Sequence, residues 1–142
     1  MRKFTLGALT SMLLGLGLLV SAPDSAMAQR TAPPGGEYKN VSTLVPLPDF
    51  VPGLGVLYVV PSTLPAGPFL AYDHAGSLVS SIYMIPLKDM NAQKAFNALK
   101  VAHEPVDHVD IIFNAGHPGV AEPHYHIILW YVSPERAAQL SK

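Results

Sequence analysis

The chain has 142 residues, no cysteine, nine basic against ten acidic side chains, and six histidines. Only 13% of its residues are charged, against roughly 25% in an average domain, and no Lys/Arg cluster offers a nucleic acid an electrostatic footprint. It is too short for a doubly wound nucleotide enzyme or a closed (β/α)8 barrel, and no G-x-G-x-x-G or Walker loop points to a nucleotide cofactor.

The N-terminus reads as an address. Met1-Arg2-Lys3 is a short basic start, residues 4–20 are a mostly apolar run, and a small-residue stretch ends in Ala26-Met27-Ala28. This order predicts a secretory signal peptide over residues 1–28, cut after Ala28. The alternative, a membrane anchor, is disfavoured by the glycines and hydroxyl residues in the run and by the A-x-A site. The expected product is a periplasmic or secreted protein with no membrane partner after cleavage. It keeps seven Lys/Arg and nine Asp/Glu, a formal charge of −2. An exported chain without cysteine has neither a disulfide framework nor a thiolate metal site. Its stability then rests on packing, oligomerisation or a His/carboxylate-bound metal.

Residues 29–37 carry Pro33-Pro34-Gly35-Gly36 and read as a disordered arm. The rest, residues 38–142, reads as a single α+β domain. Three prolines in residues 38–52 mark an irregular or edge segment, because proline cannot donate to a sheet ladder. Residues 56–60 are a β-prone run ended by Pro61. Residues 69–72 and 77–87 flank Asp73-His74-Ala75-Gly76 and predict a hairpin whose second strand is internal. Ala92, Ala95, Phe96, Leu99 and Ala102 recur at helical spacing, so residues 89–102 are expected to form an amphipathic helix capped by Asp89. Strands follow at 106–113 and 123–132, and Ser133-Pro134-Glu135 announces a short C-terminal helix over 134–140. The expected architecture is an antiparallel sheet of about five strands with helices packed on one side.

Four of the six histidines fall between His108 and His126. Alternate residues of a strand share a face, which pairs His124 with His126 and His108 with Asp110. If the two strands pair about position 117, His108 faces His126 and Asp110 faces His124. Side chains directly opposite have Cβ atoms about 4.5–5.5 Å apart, near enough to share one ion at about 2.0–2.2 Å. His117 would hang from the loop as a further ligand or a proton carrier. The candidate metal site is therefore His108, Asp110, His117, His124 and His126. Its His/carboxylate donors suit Zn, Ni, Cu, Fe or Mn. A catalytic version would leave a coordination position open to activate water, as a hydrolase or lyase does; nothing in the spacing demands it. Two other readings stay open. One is a non-catalytic oligomeric binding or structural protein whose histidines form a hydrogen-bond network. The other is a metal-independent small-molecule carrier, which a deep apolar pocket away from the histidines would favour. His74 and His103 read as surface or structural residues.

Several stretches also resemble a small exported bacterial family of unknown function that includes a ring-forming hypothetical protein from Thermus. They are Gly55-Val56-Leu57-Tyr58, Tyr72-Asp73-His74-Ala75-Gly76-Ser77-Leu78, Tyr83-Met84-Ile85-Pro86, Asp107-His108-Val109, Gly116-His117-Pro118 and Pro123-His124-Tyr125. The resemblance covers roughly residues 53–135 and implies an α+β domain in a homo-oligomer, with no established activity. The family's last motif reads P-H-[FY]-D-[FY]-H. Here His126 stands at the Asp and Ile128 at the final His, so of the candidate ligands only His108, His117 and His124 carry over from the family.

Overall fold

The structure, a computed structural model, describes residues 29–142. The expected signal peptide, residues 1–28, lies outside the described residues. Seven antiparallel strands form one sheet: β1 (Lys39–Asn40), β2 (Phe50–Val51), β3 (Gly55–Val59), β4 (Phe69–Tyr72), β5 (Leu78–Pro86), β6 (His108–Asn114) and β7 (His124–Trp130). The order is β1-β3-β4-β5-β7-β6, with β2 also pairing to β3. Among the described residues two five-residue α-helices accompany it, α1 (Leu87–Asn91) and α2 (Pro134–Ala138), the latter running into a 3-10 turn at Gln139–Ser141. The α+β architecture stands. The count of about five strands becomes seven, because the irregular segment contributes β1 and β2, each only two residues long.

Helix 89–102 is corrected. The helical stretch is Leu87–Asn91, entered from Pro86, with Asp89 in its first turn rather than at its cap. Gln93 and Ala98 then take positive φ, at 56° and 53°, which breaks helical geometry. The apolar stripe finds no partner: Ala92, Ala95 and Leu99 are exposed, and only Ala102 is buried. Short helices take most of their stability from a packed face, and this one has none to offer. The segment is held instead by Tyr83 Oη, which donates to the Lys100 carbonyl, and by the Arg30–Glu104 ion pair.

The arm expected to be disordered is tied to the β4–β5 hairpin. Ala32 N–H donates to the Gly76 carbonyl at 2.9 Å, Leu78 N–H to the Arg30 carbonyl at 3.0 Å, and Tyr72 Oη to the Gln29 carbonyl at 2.7 Å. The hairpin turn itself is organised by Asp73, whose carboxylate accepts from Ala75 and Ser77 N–H and meets Arg136 at 2.6 Å.

β5 is buried along its whole length, as an internal strand must be. On one sheet face Leu57, Val59, Phe69, Ile82, Met84, Ile128 and Trp130 form the main core, covered by side chains of residues 41–54 and by Leu140. On the other, Leu70, Tyr72, Leu78 and Ala102 form a smaller core. β7 alternates buried and half-buried residues, so His124, His126, Ile128 and Trp130 all point into the main core. β6 is the edge strand, and its Val109, Ile111 and Phe113 are more than half exposed.

Candidate functional site

The β6–β7 register decides which histidines meet. Observed partners are His108 with Trp130, Asp110 with Ile128, Ile112 with His126 and Asn114 with His124. The expected pairing about position 117 is corrected to one displaced by four residues, centred on position 119. A displacement by an even number of residues keeps every side chain on its predicted face but changes its neighbours. Its origin is the turn His117-Pro118-Gly119-Val120, closed by hydrogen bonds of 2.9 Å in both directions between His117 and Val120. Proline followed by a glycine at φ +88° is the signature of a type II turn. That places the apex at Pro118-Gly119, not at His117. A Cβ at Gly119 would also meet Val45 Cγ1 at 2.8 Å, so the turn is seated against the segment covering the core.

His108 and Asp110 therefore do not join the other three. His108 Nδ1 lies 2.9 Å from Asp107, and its ring stacks on Trp130. Asp110 accepts a 2.8 Å hydrogen bond from Trp130 Nε1–H. Both are committed at the far end of β7.

His117, His124 and His126 do converge, each offering a ring nitrogen no more than 4.8 Å from the others. The rings of His124 and His126 have centroids 4.8 Å apart, and His117 stands nearly perpendicular to His124 at 4.9 Å. His124 is 1% exposed and His126 9%. Backbone carbonyls set the tautomers. His124 Nδ1 is 2.7 Å from the Glu122 carbonyl, and His117 Nδ1 is 2.9 Å from the Pro118 carbonyl. A carbonyl only accepts, so each Nδ1 carries the proton and each Nε2 keeps its lone pair free. This is the arrangement that orients histidine metal ligands elsewhere. His124 Nε2 and His126 Nε2 are 3.0 Å apart. Two nitrogens on a tetrahedral ion at about 2.0–2.1 Å sit about 3.3 Å from each other, so this pair needs a few tenths of an ångström to open. Burial, with repulsion from His124 and His117, pushes the His126 pKa down to about 4, which keeps its ring neutral and able to ligate at pH 7.

The site borders a cavity of about 520 Å³ in the main core, to which His117 and His126 contribute walls. Sequence patterning carries no sign of it, because the cavity forms between the sheet and the proline-rich segment 41–54. Asn114, beside it on β6, is likewise absent from the candidate residues. The signal that could have found the arrangement is the His-Pro-Gly turn, which fixes the register.

Comparison with solved structures gives a relative. The chain is similar to hypothetical protein TTHB210 from Thermus thermophilus, with a TM-score of 0.62 and 48% identity over 67% of this chain and 93% of that one. The chain belongs to that protein's family. The Thermus relative is itself a hypothetical protein, so membership supplies a fold and no activity. Neither a family model nor a curated protein matches the chain.

Proposed function

We propose that this is an exported protein that holds one divalent transition metal at His117, His124 and His126. The observation that carries the reading is the meeting of three ring nitrogens within 4.8 Å, with two of the rings fixed by carbonyls so that Nε2 lone pairs are free. Three neutral imidazoles on one ion leave a coordination position open, the arrangement of sites that bind an exchangeable ligand or water. Among the described residues no carboxylate joins the triad. The test is metal content. The purified protein reconstituted with Zn2+, Ni2+ or Cu2+ should retain one ion per chain, and below about 0.1 ion per chain the reading fails.

The 3.0 Å contact between His124 and His126 supports a second reading, a metal-free hydrogen bond. His124 Nε2 can only accept there, so His126 would carry its proton on Nε2. Metal ligation through Nε2 requires it on Nδ1. Nitrogen NMR of the His126 ring separates the two.

Export and self-association complete the proposal. The basic, apolar and A-x-A order supports cleavage after Ala28, which N-terminal sequencing of exported material would read as Gln29. The apolar, solvent-facing edge strand β6 supports a homo-oligomer, since such an edge otherwise templates unwanted pairing.

A further inference from the structure

We infer that the cavity beside the histidines is a binding site for a medium-chain carboxylate whose head completes the metal's coordination and whose tail fills the apolar chamber. The inference rests on the metal reading above. The chamber's two ends differ. Leu57, Phe69, Met84 and Ile128 make an apolar interior, and Leu44 and Leu64, both more than 40% exposed, stand on its outer rim. The polar end is made by Asn114, His117 and His126. A pocket of this size with one polar end selects a ligand with an apolar body and one head group.

The charge inventory then chooses the head. Among the described residues no Lys, Arg, Asp or Glu lines the chamber. A carboxylate entering it would be an unpaired buried charge, which is strongly disfavoured. A divalent ion on three neutral imidazoles supplies the missing positive charge at the polar end. Carboxylate oxygens are ordinary ligands of such ions, and the Asn114 amide can donate to the second oxygen. A neutral alcohol of the same length has no such dependence on the ion. Carboxylate binding and metal binding are therefore coupled.

The experiment uses the purified protein in metal-free and zinc-loaded forms, titrated calorimetrically with octanoate, decanoate and decanol. Decanoate is expected to bind the zinc form at least tenfold more tightly than the metal-free form, while decanol gains nothing from zinc. Each buried methylene should tighten binding about fourfold, so decanoate should exceed octanoate by about 15-fold. Leu44→Asp and Leu64→Asp, both at exposed rim positions, should weaken decanoate at least fivefold and leave zinc uptake unchanged. Zinc retained at one per chain with equal decanoate affinity in both forms, or with no chain-length dependence, overturns the carboxylate site and leaves the metal reading intact. Failure to retain zinc at all removes the metal reading and this inference with it.

Discussion

Nε2 of His124 lies 3.0 Å from Nε2 of His126, on two side chains buried in the same sheet face. Residues i and i+2 of a strand are normally neighbours without touching at their tips. Here the Glu122 carbonyl turns the His124 ring toward its partner. The pair is thus brought within hydrogen-bonding distance of each other.

The double substitution His124→Ala, His126→Ala should reduce bound metal from one per chain to below about 0.1. With free zinc at a hundredfold over Kd, the unsubstituted protein should gain about 2.7 kcal/mol, raising Tm by roughly 10 °C. The double variant should gain nothing. Atomic emission and thermal unfolding with and without zinc check both statements.

His108→Ala and Asp110→Ala should leave metal content unchanged. Asp110→Ala also strands the buried indole N–H of Trp130, which should cost about 1–2 kcal/mol in urea unfolding. A loss of metal in either variant would return these residues to the site.

The metal-free protein should lose stability as pH falls from about 6.5 to about 4. The unfolded chain takes up a proton on His126 near 6.5, whereas burial, with repulsion from His124 and His117, delays uptake in the folded chain to about 4. The unfolded state binds more protons across that window, so stability present above 6.5 is progressively lost and the loss is complete once the folded ring titrates. His126→Gln should flatten the slope of urea midpoint against pH between those limits.

Asp73→Asn should destabilise by about 1–2 kcal/mol at pH 7. Burial works against the Asp73 charge, but hydrogen bonds from Ser77, Arg136 and Ala75 outweigh it and hold the carboxyl below its usual range. This stabilisation is present above the ordinary carboxylate pKa and is lost as pH falls through the lowered one. The difference between the two proteins should accordingly vanish in strong acid.

Ile111→Lys on the edge strand should convert an oligomer to monomer in sedimentation equilibrium, with the urea midpoint of the monomer little changed. Ile111 is 67% exposed, so a lysine there disturbs no core.

The strands are legible where period and punctuation agree. Asp73 to Gly76 marks a hairpin, β7 alternates as its sequence alternates, and Ser133 caps α2 by accepting from Arg136 N–H. A helix over 89–102 does not form because its apolar stripe meets no partner surface, which spacing alone does not reveal. Of the five candidate ligands, His117, His124 and His126 come together while His108 and Asp110 do not. Face is a local property of a strand, but register is set by the turn. Here the turn is Pro118-Gly119, which shifts His126 from His108 to Ile112. The cavity is invisible in the sequence because its walls come from segments far apart in the chain.

Gly119 sits where even a methyl group would strike Val45, and Val45 belongs to the cover over the cavity. The residue two places before it, His117, is the one candidate ligand carried by the turn rather than by a strand. The turn that carries His117 is therefore packed on the same segment that covers the cavity, so one close contact at Val45 joins the candidate ligand to the chamber's wall.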